Sequence, residues 1–121
     1  MAKRSRLRSV LVLIALVLGV GAAMQGVEAW TRARLGAQVA ASAKPGDIFM
    51  IGSVTCTYCA TARAWFTANQ VPFTECLIER DERCAAQYNA LMAPGTPVMV
   101  VKGRRQVGFS AQAVADALAG S

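Results

Sequence analysis

The residues best suited to chemistry in this chain are its four cysteines, Cys56, Cys59, Cys76 and Cys84. Only Thr57 and Tyr58 stand between the first two, a spacing at which two thiols can form and break a disulfide. The nucleophile in such exchange is a thiolate, so one of the pair needs a depressed pKa and an open approach. The chain has no histidine, which removes Cys-His and Ser-His catalytic pairs and any mixed Cys/His zinc site. A site of four thiolates would need Cys76 and Cys84 as well. That pair has seven intervening residues rather than the two to four usual for zinc ligands, so no metal and no other cofactor is expected.

The elements that must position these thiols are legible around them. Ile48-Phe49-Met50-Ile51 is a continuous apolar run, as expected for a strand covered on both faces. Gly52 to Thr55 turns the chain into the cysteine pair. A helix follows from Ala60 to Asn69, because Cys59, Ala62 and Phe66 recur at spacings of three and four. Asn69 is expected as its left-handed cap, with Pro72 stopping continuation. Cys56 then sits at a helix N-terminus, where unpaired N–H groups and the helix dipole favour an anion. This makes Cys56 the expected nucleophile and Cys59, about one turn inside, the resolving thiol.

Phe73 to Ile78 predicts a second strand, and Asp81 can cap a helix from Glu82 to Leu91. Cys76 falls on that strand and Cys84 in the first turn of that helix. Met92 to Gly95 is a loop, Thr96-Pro97 enters a third strand, Val98–Val101, and Lys102 to Arg105 is a turn. A hairpin returns from Gln106 to Phe109, and Ser110 caps a last helix, Ala111 to Ala119. The expected order is β-α-β-α-β-β-α, an α/β fold with a mixed sheet flanked by helices.

The N-terminus reads differently. Residues 1–8 carry Lys3, Arg4, Arg6 and Arg8, and Ser9 to Val27 contains no charge over nineteen residues. At about 1.5 Å per residue such a helix crosses a hydrocarbon core of about 30 Å. Basic flanks favour the cytoplasmic side, which puts everything after Val27 outside, with Trp30 at interfacial depth. The expectation is a bacterial inner-membrane anchor over 9–27 with the domain facing the periplasm. The alternative is a soluble periplasmic or secreted form after cleavage near Ala29. Residues 28–44 predict a linker or helix extension, and Lys44-Pro45-Gly46 opens a folded domain over 45–121. The net charge of +6 is mostly this N-terminal surplus, since the remaining nine basic side chains face seven acidic ones. A nucleic-acid binder would carry a basic patch on its folded domain, so nucleic acid is not an expected partner. Outside the cytoplasm, Cys76 and Cys84 are expected to pair as a structural disulfide, with an electron shuttle to Cys56/Cys59 as the alternative.

From about Lys44 to Ala119 the sequence resembles the glutaredoxins of the thioredoxin-like superfamily. The resemblance is carried by Cys56-Thr57-Tyr58-Cys59 after the first strand, Val71-Pro72-Phe73 opening the second, and Gly95-Thr96-Pro97 opening the third; Ile78-Glu79-Arg80-Asp81 matches the exit of the second strand. It implies a thioredoxin-like fold, dithiol chemistry, a cis Pro97 beside the reactive cysteine, and a Thr96 backbone that pairs with bound substrate. Thr57 and Tyr58 are implied to line the substrate site and tune the pair. Thr57 replaces the family's usual proline. The family's glutathione-binding lysine falls at Ser53, and its Gly-Gly-x-Asp segment falls near Gly108-Phe109-Ser110-Ala111, so the resemblance does not extend to glutathione.

The function expected is a thiol–disulfide oxidoreductase acting on protein thiols and disulfides or on a redox partner. Two other readings stay open on sequence: a non-catalytic binding module using the groove at Thr96-Pro97, and a thiol-based metal-binding protein.

Overall fold

A computed structural model of the protein describes residues 1–120; Ser121, the last residue of the expected domain, lies outside them. The chain forms two compact units, Met1–Arg34 and Leu35 onward.

The first unit is helical, part of α1 (Ala2–Ser42). It contains a stretch long and apolar enough to cross a membrane, none of it buried within the protein. The charges that follow the apolar run are met along the helix itself. Arg32 Nη2 lies 3.5 Å from Glu28 Oε2 one turn earlier, and the Arg34 guanidinium lies 5.1 Å from the centre of the Trp30 ring.

The second unit is built from β1 (Ile48–Gly52), α2 (Thr57–Ala68), β2 (Thr74–Leu77), α3 (Glu82–Ala90), β3 (Val98–Val101), β4 (Arg104–Val107) and α4 (Ala111–Ala119). The sheet order is β2-β1-β3-β4, with β1 parallel to β2 and the other neighbours antiparallel. Although α3 joins β2 to β3, those strands are not neighbours, because β1 lies between them. Side chains alternate across the sheet. Ile48, Met50, Met99 and Val101 pack on one face with Ala62 and Phe66 of α2 and Val114 and Leu118 of α4. Ile51, Val98 and Cys76 pack on the other face with Cys84 and Tyr88 of α3.

Three local expectations change. The compact unit begins at Leu35, ahead of Pro45. Val39 is fully buried in the α2/α4-side core, and Leu35, Ala40 and Ala43 pack against it. This stretch lacks a strong apolar stripe because small residues make the contact: a side chain at Gly36 would collide with the Asn69 amide, whose Nδ2 donates to the Trp65 carbonyl at 2.9 Å. The left-handed residue after α2 is Gln70 (φ 56°), while Asn69 has φ −96°. Finally, the β3–β4 turn is only Lys102-Gly103, with φ of 48° and 77°. Positive φ at both central residues is the type I′ pattern that matches strand twist, so β4 starts at Arg104 rather than Gln106. Lysine is not a usual residue there, which is why the sequence suggests a longer turn.

Candidate active site

β1 ends at Gly52, which faces α2: a Cβ there would lie 3.4 Å from Cys59 Sγ. The chain then crosses Ser53, Val54 and Thr55 and reaches Cys56, the N-cap of α2, with φ −86° and ψ 108°. The Cys56 N–H donates to the Ser53 carbonyl at 3.3 Å. Cys56 Sγ accepts from the Cys59 N–H at 3.0 Å, so the sulfur takes the place of the side-chain oxygen that usually satisfies a first-turn donor. Cys56 and Cys59 are joined as a disulfide with Cα atoms 5.2 Å apart. Cys59 is fully buried, Cys56 is half-buried, and Thr57 and Tyr58 are exposed. An attacking group can therefore approach Cys56 and not Cys59.

The register brings other segments to the same end of the sheet. Ile51 pairs with Val98, and Gly52 with Leu77. The Thr96-Pro97 entry to β3 and the Ile78-Glu79 exit from β2 therefore leave the sheet where the cysteine loop does. The Thr96–Pro97 peptide is cis, Pro97 is buried, and Thr96 is half-buried. An open groove of about 290 Å³ runs beside Cys56, lined by Ala60 and Arg63 of α2, Glu75 and Leu77 of β2, and Arg80. The Arg63 guanidinium meets the Glu75 carboxylate through two nitrogens, with Nε at 2.9 Å from Oε1 and Nη2 at 2.9 Å from Oε2. Hydrogen bonding to Glu75, the largest cause, outweighs desolvation and with a smaller contribution from the Glu75 charge raises the Arg63 pKa.

Glu79, like Arg63 and Glu75, is a polar residue of this region to which the sequence alone assigns no role. Its carboxylate accepts from the Ser53 hydroxyl and from the Val54 N–H, the latter at 3.2 Å. The Ser53 hydrogen bond is the main cause holding the Glu79 carboxyl below its ordinary pKa. Ser53, where the resembled family would have a lysine, is thus bonded to an acid. The Ile78-Glu79-Arg80-Asp81 stretch was visible as a strand exit, but its approach to the cysteine loop depends on the parallel β1–β2 pairing.

Cys76 and Cys84 form a second disulfide, with Cα atoms 5.9 Å apart. Cys84 is 1% exposed, and Cys76 is half-buried against Ile51 on the α3 face. Neighbouring residues on β1 point to opposite faces: Ile51 toward this disulfide, Gly52 toward Cys59. The sheet stands between the two sulfur pairs. Among the described residues no cluster of three or more His, Cys, Asp or Glu side chains is arranged to hold a metal ion.

The family model described as Glutaredoxin matches residues 48–106. Three solved structures share the fold. A thioredoxin-like protein is 19% identical over 61% of this chain and 96% of its own, with a TM-score of 0.55. The methanoredoxin of Methanosarcina acetivorans is 20% identical over 63% and 87%, with a TM-score of 0.52. A glutaredoxin from Archaeoglobus fulgidus is 17% identical over 60% and 85%, with a TM-score of 0.50. No curated protein matches the chain by sequence. A strand-to-helix cysteine pair, a buried cis proline at the same sheet end and the family match over residues 48–106 agree with one another: the chain has a thioredoxin/glutaredoxin-like fold, with Cys56–Cys59 as its CxxC-type disulfide.

Proposed function

We propose that this protein is a membrane-associated dithiol–disulfide oxidoreductase whose domain works on protein thiols and disulfides on the periplasmic side. The observation that carries the reading is Cys56 Sγ: half-buried, at a helix N-terminus, and accepting the Cys59 N–H at 3.0 Å. The same donor and the helix dipole favour a thiolate once the disulfide is opened. In the reducing direction the Cys56 thiolate attacks one sulfur of a substrate disulfide. A mixed disulfide forms and the other substrate sulfur leaves as a thiolate. The Cys59 thiolate then attacks Cys56 Sγ, the mixed disulfide breaks, the second substrate thiolate leaves, and the electron pair held by the dithiol has passed to the substrate. The oxidising direction is the reverse.

Thr57 and Tyr58, exposed beside Cys56, would contact substrate, and the Thr96 backbone would pair with an extended substrate segment next to Pro97. Ser53, held by Glu79, offers no cation to a small anionic thiol, which favours protein substrates over glutathione. The basic residues before the apolar run support a cytoplasmic N-terminus and a periplasmic domain. Cys76–Cys84 would be structural.

The test is insulin-disulfide reduction by the full-length protein in detergent micelles, with Cys56→Ser as control. Activity in the wild type and none in Cys56→Ser is expected, while Cys59→Ser should accumulate a mixed disulfide with its client. Equal rates for wild type and Cys56→Ser would overturn the reading.

A further inference from the structure

We propose that Glu79 is a positioning residue for the exchange reaction, fixing through Ser53 and Val54 the loop that carries Cys56. The proposal rests on the reading of Cys56 as the nucleophile.

The loop from Ser53 to Thr55 has little else to hold it. Val54 and Thr55 are exposed, and the loop's own bonds are long: Thr55 N–H to Ser53 Oγ at 3.5 Å and the Ser53 and Thr55 hydroxyls at 3.4 Å. Glu79 supplies what is missing. One carboxylate oxygen accepts a hydrogen bond from the Ser53 hydroxyl and the other accepts one from the Val54 N–H. Ser53 in turn offers its carbonyl to the Cys56 N–H. The carboxylate is thus two hydrogen bonds from the backbone of the reactive cysteine.

Glu79 is itself fixed in place. The Ile78 N–H donates to the Gly52 carbonyl at 3.1 Å, joining the exits of β1 and β2. The Arg80 and Asp81 N–H groups both return to the Leu77 carbonyl at 3.1 Å, closing a tight turn around Glu79. Like any glutamate with a pKa at or below the ordinary value it is ionised near neutral pH, and charge-assisted bonds are roughly twice as strong as neutral ones. A clamp built this way reduces the freedom the loop would regain when the disulfide opens. The dithiol is then already arranged for closure, and the effective concentration of one sulfur at the other rises. Loss of the clamp should weaken ring closure and make Cys56/Cys59 a stronger oxidant.

The test uses the full-length protein in micelles, equilibrated in glutathione redox buffers of stated ratio, with the fraction of Cys56/Cys59 oxidised read by thiol alkylation and mass spectrometry. Glu79→Ala should lower the equilibrium constant for disulfide formation about tenfold, a shift of about 30 mV in potential. Glu79→Gln, which keeps an acceptor, should recover part of that loss, and Ser53→Ala should show an intermediate effect. The thiolate pKa of Cys56, from the pH profile of its alkylation rate, should move in Glu79→Ala as well. A purely structural role would lower the melting temperature and leave potential and profile in place; that outcome overturns the proposal. If Glu79→Ala does not fold, an unchanged potential in both Glu79→Gln and Ser53→Ala overturns it equally. An inactive wild type whose potential still responds to Glu79 would sink the oxidoreductase reading and leave the clamp standing.

Discussion

Removing the Cys76–Cys84 disulfide by a Cys76→Ala/Cys84→Ala double substitution should destabilise the domain without altering the redox pair. α3 has nine residues, too few for an isolated helix to persist in water, and Cys84 is its only fully buried side chain. The disulfide therefore supplies much of what holds α3 to the edge strand β2. The cross-link closes a loop of sequence separation 8. Loop-closure entropy for that length corresponds to about 2.5 kcal/mol at 25 °C. For a domain of this size 1 kcal/mol shifts the melting temperature by about 4–8 °C, so a fall of about 10–20 °C is expected. Thermal unfolding of wild type and double variant, followed by near-ultraviolet circular dichroism in the same detergent, measures it. Amide exchange over Glu82–Ala90 should rise more than in α2. A fall of less than about 3 °C would refute this dependence of α3 on its cross-link. The sheet between the two sulfur pairs carries the second half of the prediction: the Cys56/Cys59 potential should stay within about threefold in equilibrium constant, and a larger shift would refute the independence of the two pairs.

Two further outcomes follow from the packing and the charges. The Glu79 carboxyl is held below its unfolded pKa, so its contribution to stability is present above the ordinary glutamate value of about 4.3 and lost as pH falls through the folded pKa. Denaturant midpoints measured from pH 6 down to pH 3 should therefore fall more steeply in wild type than in Glu79→Gln below about pH 4.3; parallel curves would remove Glu79 from the acid response. At Gly36, substitution by leucine should cost about 1–3 kcal/mol by overpacking against Asn69. Adding Asn69→Ala should recover part of that loss, and strictly additive effects in the double-variant cycle would count against the contact.

Most of the fold was legible because its signals are local. Asp81 and Ser110 accept from the first-turn N–H groups they were expected to cap, at 2.9 Å from Arg83 and 3.3 Å from Ala113. The spacing of Cys59, Ala62 and Phe66 identified the buried face of α2. Cys56 at a helix N-terminus followed from a strand and short turn leading into a helix, although the helix begins at Thr57 rather than Ala60, which makes Cys56 its N-cap. The parts that were not legible depend on contacts between distant segments. Glu79 gains its role only because parallel pairing of β1 with β2 carries the second strand's exit to the cysteine loop. Val39 enters the core from an alanine-rich stretch because Gly36 permits close approach to Asn69. The β3–β4 turn misled because Lys102 occupies a left-handed position that sequence usually marks with asparagine, aspartate or glycine.

The sheet that parts the two disulfides also bears on how the chain reaches its native pairing. Four cysteines can be joined in three ways, and in the folded domain only one is reachable: each of the other two would link a sulfur packed beneath α2 or at its start with one packed beneath α3, through the backbone of β1. In the folded domain the Cys76–Cys84 bond is thus out of reach of the sulfur proposed as the nucleophile, Cys56.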